Sequence, residues 1–326
     1  MLDLSVVIPI RNEAPSLVEL HRELTETLVA WGRDYELIVV DDGSTDESFE
    51  TLARLQAVDP HLRVIRFRRN FGQTAAFAAG FEFARGRYIV TSDGDLQNDP
   101  RDIPAMVEAL ERGSDIVCGW RRDRKDALLS RRVPSTIANA LISLVTGVHL
   151  HDYGCSLKAF RAEIVKGMKL YGEMHRFLPA IASEQTSSIS ERVVNHRPRR
   201  YGRSKYGIGR TIRVILDLLT VKFLLSYSTR PLHIFGLIGG TMGLAGLLIS
   251  GWLAYWRLMG AMSLNQHQPL LLLGIILMFT GVQLVTVGLL AEMQARTYHE
   301  SQNKPTYVIR EVRQSTVNDH SVMAKG

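Results

Sequence analysis

Two stretches of this chain carry no Lys, Arg, Asp or Glu: 26 residues from Pro231 to Trp256, and 22 from Leu270 to Ala291. At about 1.5 Å of rise per helical residue, each can cross the roughly 30 Å of hydrocarbon in a bilayer. Runs of that length seldom sit inside a soluble core, so the chain is expected to join a globular part to a two-helix membrane anchor. The first run is rich in glycine (Gly236, Gly239, Gly240, Gly243, Gly246, Gly251), which permits close helix–helix approach. Trp252, Tyr255 and Trp256 crowd its far end, as interfacial aromatics do. With 46% hydrophobic and 22% charged residues, a disordered chain, a purely soluble enzyme and a disulfide-built module all fit poorly. Cys118 and Cys155 are far apart and suit neither a zinc site nor a disulfide framework.

Flanking charge sets the expected orientation. Residues 196–230 carry Arg197, Arg199, Arg200, Arg203, Lys205, Arg210, Arg213, Lys222 and Arg230 against Asp217 alone. The link at 257–269 holds one arginine and one histidine, and Arg296 and Lys304 follow the second span. Positive outer flanks predict a cytoplasmic N-terminal domain, a cytoplasmic tail and a short outer loop in the inner membrane. The first apolar run, at Leu4–Pro9, is too short for a secretory signal. The net charge of +6 is explained by lipid, since the arginines abut a membrane span; nucleic acid is not expected as a partner. The expected division is a domain over 1–210, an amphipathic juxtamembrane helix over 211–230, the anchor over 231–293 and a tail over 294–326. Residues 134–148, after Arg131 and Arg132, read equally as a second interfacial element or as a core helix.

The N-terminal part alternates strand and helix. Strands are expected at 4–9, 35–40, 62–67, 88–91 and 116–117, with helices near 16–31, 45–56, 73–84 and 101–111. Such repeats imply an α/β fold with a mostly parallel sheet covered on both faces, and ligands then bind outside the carboxyl ends of the strands. Polar clusters at 41–46, 69–73 and 92–97 fall at those ends. Asp93 and Asp95, with a glycine between them, can curl round one hard divalent cation such as Mg²⁺ or Mn²⁺, a diphosphate supplying further oxygens. A bare pair of this kind is also a common solvated turn; its place beside Asp41 and Asp42 at another strand end argues for the cation.

The series VVIPIRNE, VVDDGSTD, RNFGQTAA and SDGDLQNDP resembles glycosyltransferase family 2, with its Rossmann-like GT-A fold. More closely, the chain is similar to the polyprenyl-phosphate sugar transferases, the group that includes dolichol-phosphate mannosyltransferase. The resemblance runs strongly from residue 4 to about 210 and extends through the anchor and the PTYVIRE tail. It implies that Pro9, Asn12 and Glu13 line the nucleotide pocket, with Asp41 and Asp42 near base and ribose. It also implies that Asp93, Asp95 and Gln97 hold the metal and the donor diphosphate, and that Arg69 and Gln73 border the site. The acceptor phosphate falls to Arg121 or Arg122, to Arg131 or Arg132 with Ser135, and to Arg199 or Arg200. Residues 199–206 match the group's R-x-x-G-x-S-K-Y element, which ends at Lys205 and Tyr206 and closes over the site.

The sequence departs from the group in one place. Many relatives have a Thr-Gly-Asp-Phe motif, whose aspartate is a proposed base or organiser; here Asp152-Tyr153-Gly154-Cys155-Ser156 puts a cysteine in its place. That form resembles the undecaprenyl-phosphate 4-deoxy-4-formamido-L-arabinose transferase branch, and it tilts the donor toward a UDP-sugar over a GDP-sugar. Cys155 is expected in the core, and Asp152 as an organiser. A phosphate acceptor needs no strong base, because its second ionisation lies near pH 6. The implied reaction is an inverting transfer to a polyprenyl phosphate, undecaprenyl phosphate in a bacterium, by a homo-oligomer that analogy makes a tetramer. The competing readings are an anchored transferase with a soluble or protein acceptor, a processive synthase, and an inactive GT-A scaffold.

Overall fold

A computed structural model describes residues 2–122, 139–140, 142–144, 146–168, 170, 174–183, 185–186, 188–198, 200, 231–259, 267–301 and 306–314. The chain forms two compact units, Met1–Val221 with Pro305–Gly326, and Lys222–Lys304.

The first unit begins with the expected alternation: β1 (Leu4–Ile10), α1 (Ala14–Trp31), β2 (Tyr35–Asp41), α2 (Ser48–Val58), β3 (Leu62–Phe67), α3 (Gln73–Phe83), β4 (Tyr88–Thr91), α4 (Ile103–Glu111) and β5 (Ile116–Trp120). Every residue of β1 and β2 is buried, as both faces of a covered parallel sheet require. On α1 the buried leucines 17, 20, 24 and 28 follow the helical period, and Gly32, at φ 73°, ends the helix with its N–H on the carbonyls of Leu28 and Val29. α2 starts three residues later than the periodicity predicts. The Thr45 N–H is drawn to Asn12 Oδ1 (2.8 Å), and Asp46 Oδ1 accepts from the Ser48 N–H (3.1 Å), so residues 44–47 hold a loop together instead of a helical turn.

Further elements complete the described unit: β6 (Lys158–Arg161), the short helices α5 (Ala162–Val165) and α6 (Leu178–Ala182), β7 (Ile189–Val193) and β8 (Ile309–Arg313). The sheet order is β7-β5-β6-β4-β1-β2-β3-β8. β1 pairs in parallel with β2 and β4, β2 with β3, and β5 with β7. β6 runs antiparallel between β4 and β5, and β8 antiparallel on the outer edge of β3. β8 comes from the far side of the anchor in sequence. Tyr307, just before it, stacks on Phe67 at 5.1 Å and bonds Glu82, so the tail both packs on the domain and adds an edge strand. In the region read two ways, the described positions near 139–146 are helical; Ile142 and Ser143 are buried and Leu144 is exposed, which gives one packed face.

The second unit is a helix pair, α7 (Pro231–Leu258) and α8 (Gln268–Ser301). Each contains a 24-residue apolar span, Phe235–Leu258 and Gln268–Ala291, with mean hydropathies of 1.6 and 2.4. Of an 18-residue stretch in each, only 17% and 11% is buried, whereas the core helix of a soluble domain is mostly buried. The helices touch through glycine. A Cβ on Gly239 would lie 2.6 Å from the Gly281 carbonyl oxygen, and Gly246 meets Gly274 in the same way one level along. The juxtamembrane helix expected at 211–230 lies outside the described residues.

Candidate active site

The loops after β1, β2, β3 and β4 share one end of the sheet and are tied to one another by hydrogen bonds from main-chain N–H groups to side chains and, between the last two, by a side-chain pair. Asn12, at φ 56°, donates its N–H to Ser44 Oγ (2.9 Å), and the Glu13 N–H donates to Ser48 Oγ (3.0 Å). Asp41 is fully buried at the end of β2; its Oδ1 accepts from the Ser44 N–H (2.9 Å) and its Oδ2 lies 3.7 Å from Arg66 Nε. Both oxygens of Asp42 accept from the next loop, Oδ1 from the Phe71 N–H (2.6 Å) and Oδ2 from the Gly72 N–H (3.0 Å). Burial raises both carboxyls above their ordinary values, even against these bonds. Gly43, at φ 65°, allows the close approach: a Cβ would sit 2.5 Å from the Arg69 carbonyl carbon. Arg69 itself lies over the Phe71 ring at 4.2 Å.

The turn after β4 carries the acids. Gln73, at the start of α3, donates from Nε2 to Asp93 Oδ1 (2.9 Å), bringing the third motif onto the fourth. Asp95 is 8% exposed, and its Oδ1 accepts from the Gln97 N–H at 3.2 Å. Leu96, between them, is buried at φ 63°, a conformation that a branched residue adopts only when its surroundings enforce it. Gly94 packs closely on β1: a Cβ there would lie 2.6 Å from Ile10 Cγ2, so that side chain would have to shift. Burial, and then Asp95, push Asp93 upward, while Ser156, Lys158 and Arg121 oppose the shift. A buried carboxyl raised by the charge of its neighbour suits a cation, which would offset both. Among the described residues no cluster of three or more acids, histidines and cysteines could hold a metal alone. A Mg²⁺ or Mn²⁺ on Asp93 and Asp95 would therefore take its other oxygens from a bound phosphate group, which is the usual habit of these ions. Gln97 directs its Nε2 to the Arg197 carbonyl and the His196 ring, both at 3.4 Å.

Arg121 and Asp152 meet over this turn in a bidentate pair, Nε to Oδ2 at 2.7 Å and Nη2 to Oδ1 at 2.9 Å. Burial pushes Asp152 up, but the guanidinium outweighs it and holds the carboxyl below its usual value. Arg121 is thus bonded to Asp152, and Arg122 follows it, exposed, at the loop start. Arg200 pairs with Glu19 on α1, while Arg197 binds Glu23 (2.6 Å) and Asp99 (3.0 Å). Arg131, Arg132, Ser135, Arg199 and Lys205 lie outside the described residues. Cys155 is buried with its Sγ against Gly119, and burial pushes its thiol up to about 11, which suits a core residue and not a base.

Several polar residues here escape motif reasoning. Ser156 accepts from Asn98 Nδ2 (2.8 Å) beside Asp93, and Thr74 Oγ1 bonds His175 Nδ1 at 2.9 Å. Lys158, 3% exposed, donates to the carbonyls of Tyr153 (3.2 Å) and Cys155. Its signal was available: a charge inside the apolar run Leu157-Lys158-Ala159-Phe160.

A fold with acids at the ends of β2 and β4 has known counterparts. The profile of glycosyl transferase family 2 matches residues 5–168. This chain belongs to glycosyltransferase family 2. It is 48% identical over 315 residues to the dodecaprenyl-phosphate galacturonate synthase of Rhizobium johnstonii, covering 95% of this chain and 93% of that one. It is 39% identical over 313 residues to the undecaprenyl-phosphate 4-deoxy-4-formamido-L-arabinose transferase of Pseudomonas aeruginosa, covering 96% and 91%. Among solved structures, glucosyl-3-phosphoglycerate synthase from Mycobacterium tuberculosis superposes with a TM-score of 0.54 at 19% identity, over 68% of this chain and 80% of that one; it was crystallised with Mn²⁺, UDP and glucosyl-3-phosphoglycerate. That likeness establishes the GT-A fold. The protein is a family 2 glycosyltransferase with a GT-A unit and two apolar C-terminal helices of membrane-spanning length.

Proposed function

We propose that this glycosyltransferase moves a sugar from a UDP-linked donor to the phosphate of a polyprenyl phosphate, with Mg²⁺ or Mn²⁺ at Asp93 and Asp95. The observation that carries this reading is the Asp93–Asp95 turn at the sheet's ligand-binding end, beside the Arg121–Asp152 pair, in a chain whose full-length relatives are named for polyprenyl-phosphate products. An acceptor phosphate oxygen attacks the anomeric carbon as the bond to the donor diphosphate breaks, releasing UDP with inversion. The acceptor is largely dianionic at neutral pH, so no side chain has to remove a proton. This agrees with Asp152, which is tied to Arg121 and held below its usual pKa, and with the buried Cys155 thiol. When bound, the cation offsets charge on the departing diphosphate. Gln73 and Ser156 steady Asp93, and Arg122 with Arg131 and Arg199 meets the acceptor.

Galacturonate ranks first as the transferred sugar, on the 48% identity to the Rhizobium enzyme, and undecaprenyl or dodecaprenyl phosphate as acceptor. The spans are proposed to hold the domain and tail at the cytoplasmic face of the inner membrane, with the chain acting as a homo-oligomer. The test is transfer by full-length protein in detergent, with undecaprenyl phosphate and labelled UDP-galacturonate, UDP-glucose, UDP-4-formamido-arabinose and GDP-mannose. Label should enter the lipid phase from one UDP-sugar, vanish with EDTA and return with Mn²⁺. Label only in water-soluble acceptors would overturn the lipid-phosphate reading.

A further inference from the structure

Lys158 sits on the short strand β6, wedged between β4 and β5, where it pairs in register with Thr91 and Cys118. Burying an ammonium is unfavourable unless its protons find acceptors, and Lys158 is 3% exposed. It holds a turn. Nζ donates to the carbonyls of Tyr153 and Cys155, which flank Gly154, and the Gly154 N–H donates in turn to Asp152 Oδ1 (3.1 Å). The far end of the same turn is fixed by Thr91 Oγ1, which donates to the Ser156 carbonyl at 2.6 Å, two residues before Asp93. Asp152 leaves this turn to grip Arg121 through two bonds.

We infer that Lys158 is a positioning residue for sugar transfer: it pins the 152–156 turn so that Asp152 sets Arg121 beside the Asp93–Asp95 turn. It touches neither donor nor acceptor and acts through two main-chain carbonyls and one ion pair. A plain packing role would loosen the whole β4–β6–β5 region on substitution; a positioning role loosens the turn first.

The inference rests on the transferase reading, and two measurements on the full-length protein in detergent separate them. The first needs no substrate. N-ethylmaleimide labelling of Cys155 is followed by peptide mass spectrometry, with the equally buried Cys118 as internal reference. Lys158→Met should speed labelling of Cys155 relative to Cys118 about tenfold or more, and Lys158→Arg, which keeps charge and donors, by less than about threefold. Unchanged labelling, or equal acceleration of both thiols, would overturn the inference. The second is kinetic, with the UDP-sugar that the transfer assay selects. Lys158→Met should lower kcat about tenfold or more with donor KM within about threefold, and should add no further loss in an Asp152→Asn background. Losses that multiply would contradict it. If Lys158→Met does not fold, Lys158→Gln runs through both arms with the same expectations. If the wild-type protein forms no lipid-linked product, the transferase reading fails by itself, and thiol labelling still decides whether Lys158 holds the turn.

Discussion

At the residue scale, the site is built from side chains that spend their hydrogen bonds on main chain. Asp42 reads in sequence as a group for ribose or base, yet both its oxygens accept from Phe71 and Gly72 amides. A one-dimensional motif shows that a carboxylate is wanted, but not whether it faces ligand or loop. Asp42→Asn should therefore weaken both donor binding and folding, since an amide has an acceptor at only one of its two ends and would turn its NH2 group toward one of these N–H donors; a lowered Tm alongside a raised donor KM checks this. Cys155 was legible as a core residue because a thiolate beside acids is unfavourable, and Cys155→Ala should keep kcat within about threefold, at a cost in Tm. Ser156 and His175 were not legible, because single polar residues acquire meaning only from the strand or turn that sequence spacing does not locate; Lys158 left one trace, a charge inside an apolar run.

At the element scale, long periodic segments were readable and short ones were not. The leucine period of α1 and the buried runs of β1 and β2 stand out because each buries a continuous face. β6 is hidden by its four residues and its terminal charges, and its antiparallel insertion is settled by pairing with β4 and β5, which no local pattern encodes. The pairing of β8 has no local signal, since its partner β3 lies about 240 residues earlier in the chain. Tyr307 anchors it by stacking on Phe67, so Tyr307→Ala should cost about 3 kcal/mol of stability in the catalytic unit, read from urea unfolding. A wild-type midpoint would contradict that role. In the helix pair, Gly246→Leu should separate α7 from α8, because the carbonyl of Gly274 occupies the space a side chain needs.

At the scale of the whole molecule, composition and charge-free runs announced an α/β unit followed by two apolar helices of membrane-spanning length, while the return of the tail into the sheet makes the catalytic unit discontinuous in sequence. Its acid sensitivity follows from paired aspartates. Burial raises Asp99, but bonds from Arg101 and Arg197 outweigh it and hold the carboxyl at about 2; Asp59, bonded by His21 and His61, is held at about 2 as well. Both folded-state values lie below the unfolded one near 3.9, so their stabilisation is present above about pH 4 and is lost as pH falls toward 2. Urea midpoints at pH 5 and pH 3 should fall less for Asp99→Asn than for the wild type. Asp41 and Asp42, raised by burial, act in the opposite sense and limit the size of the drop. The most direct test of the central claim, that the Asp93–Asp95 turn holds a metal-bound donor diphosphate, is calorimetric titration of the full-length protein with UDP. UDP should bind with Mn²⁺ and not with EDTA, and Asp95→Asn should abolish the Mn²⁺-dependent heat while retaining the wild-type Tm. Wild-type Mn²⁺·UDP binding by folded Asp95→Asn would contradict it.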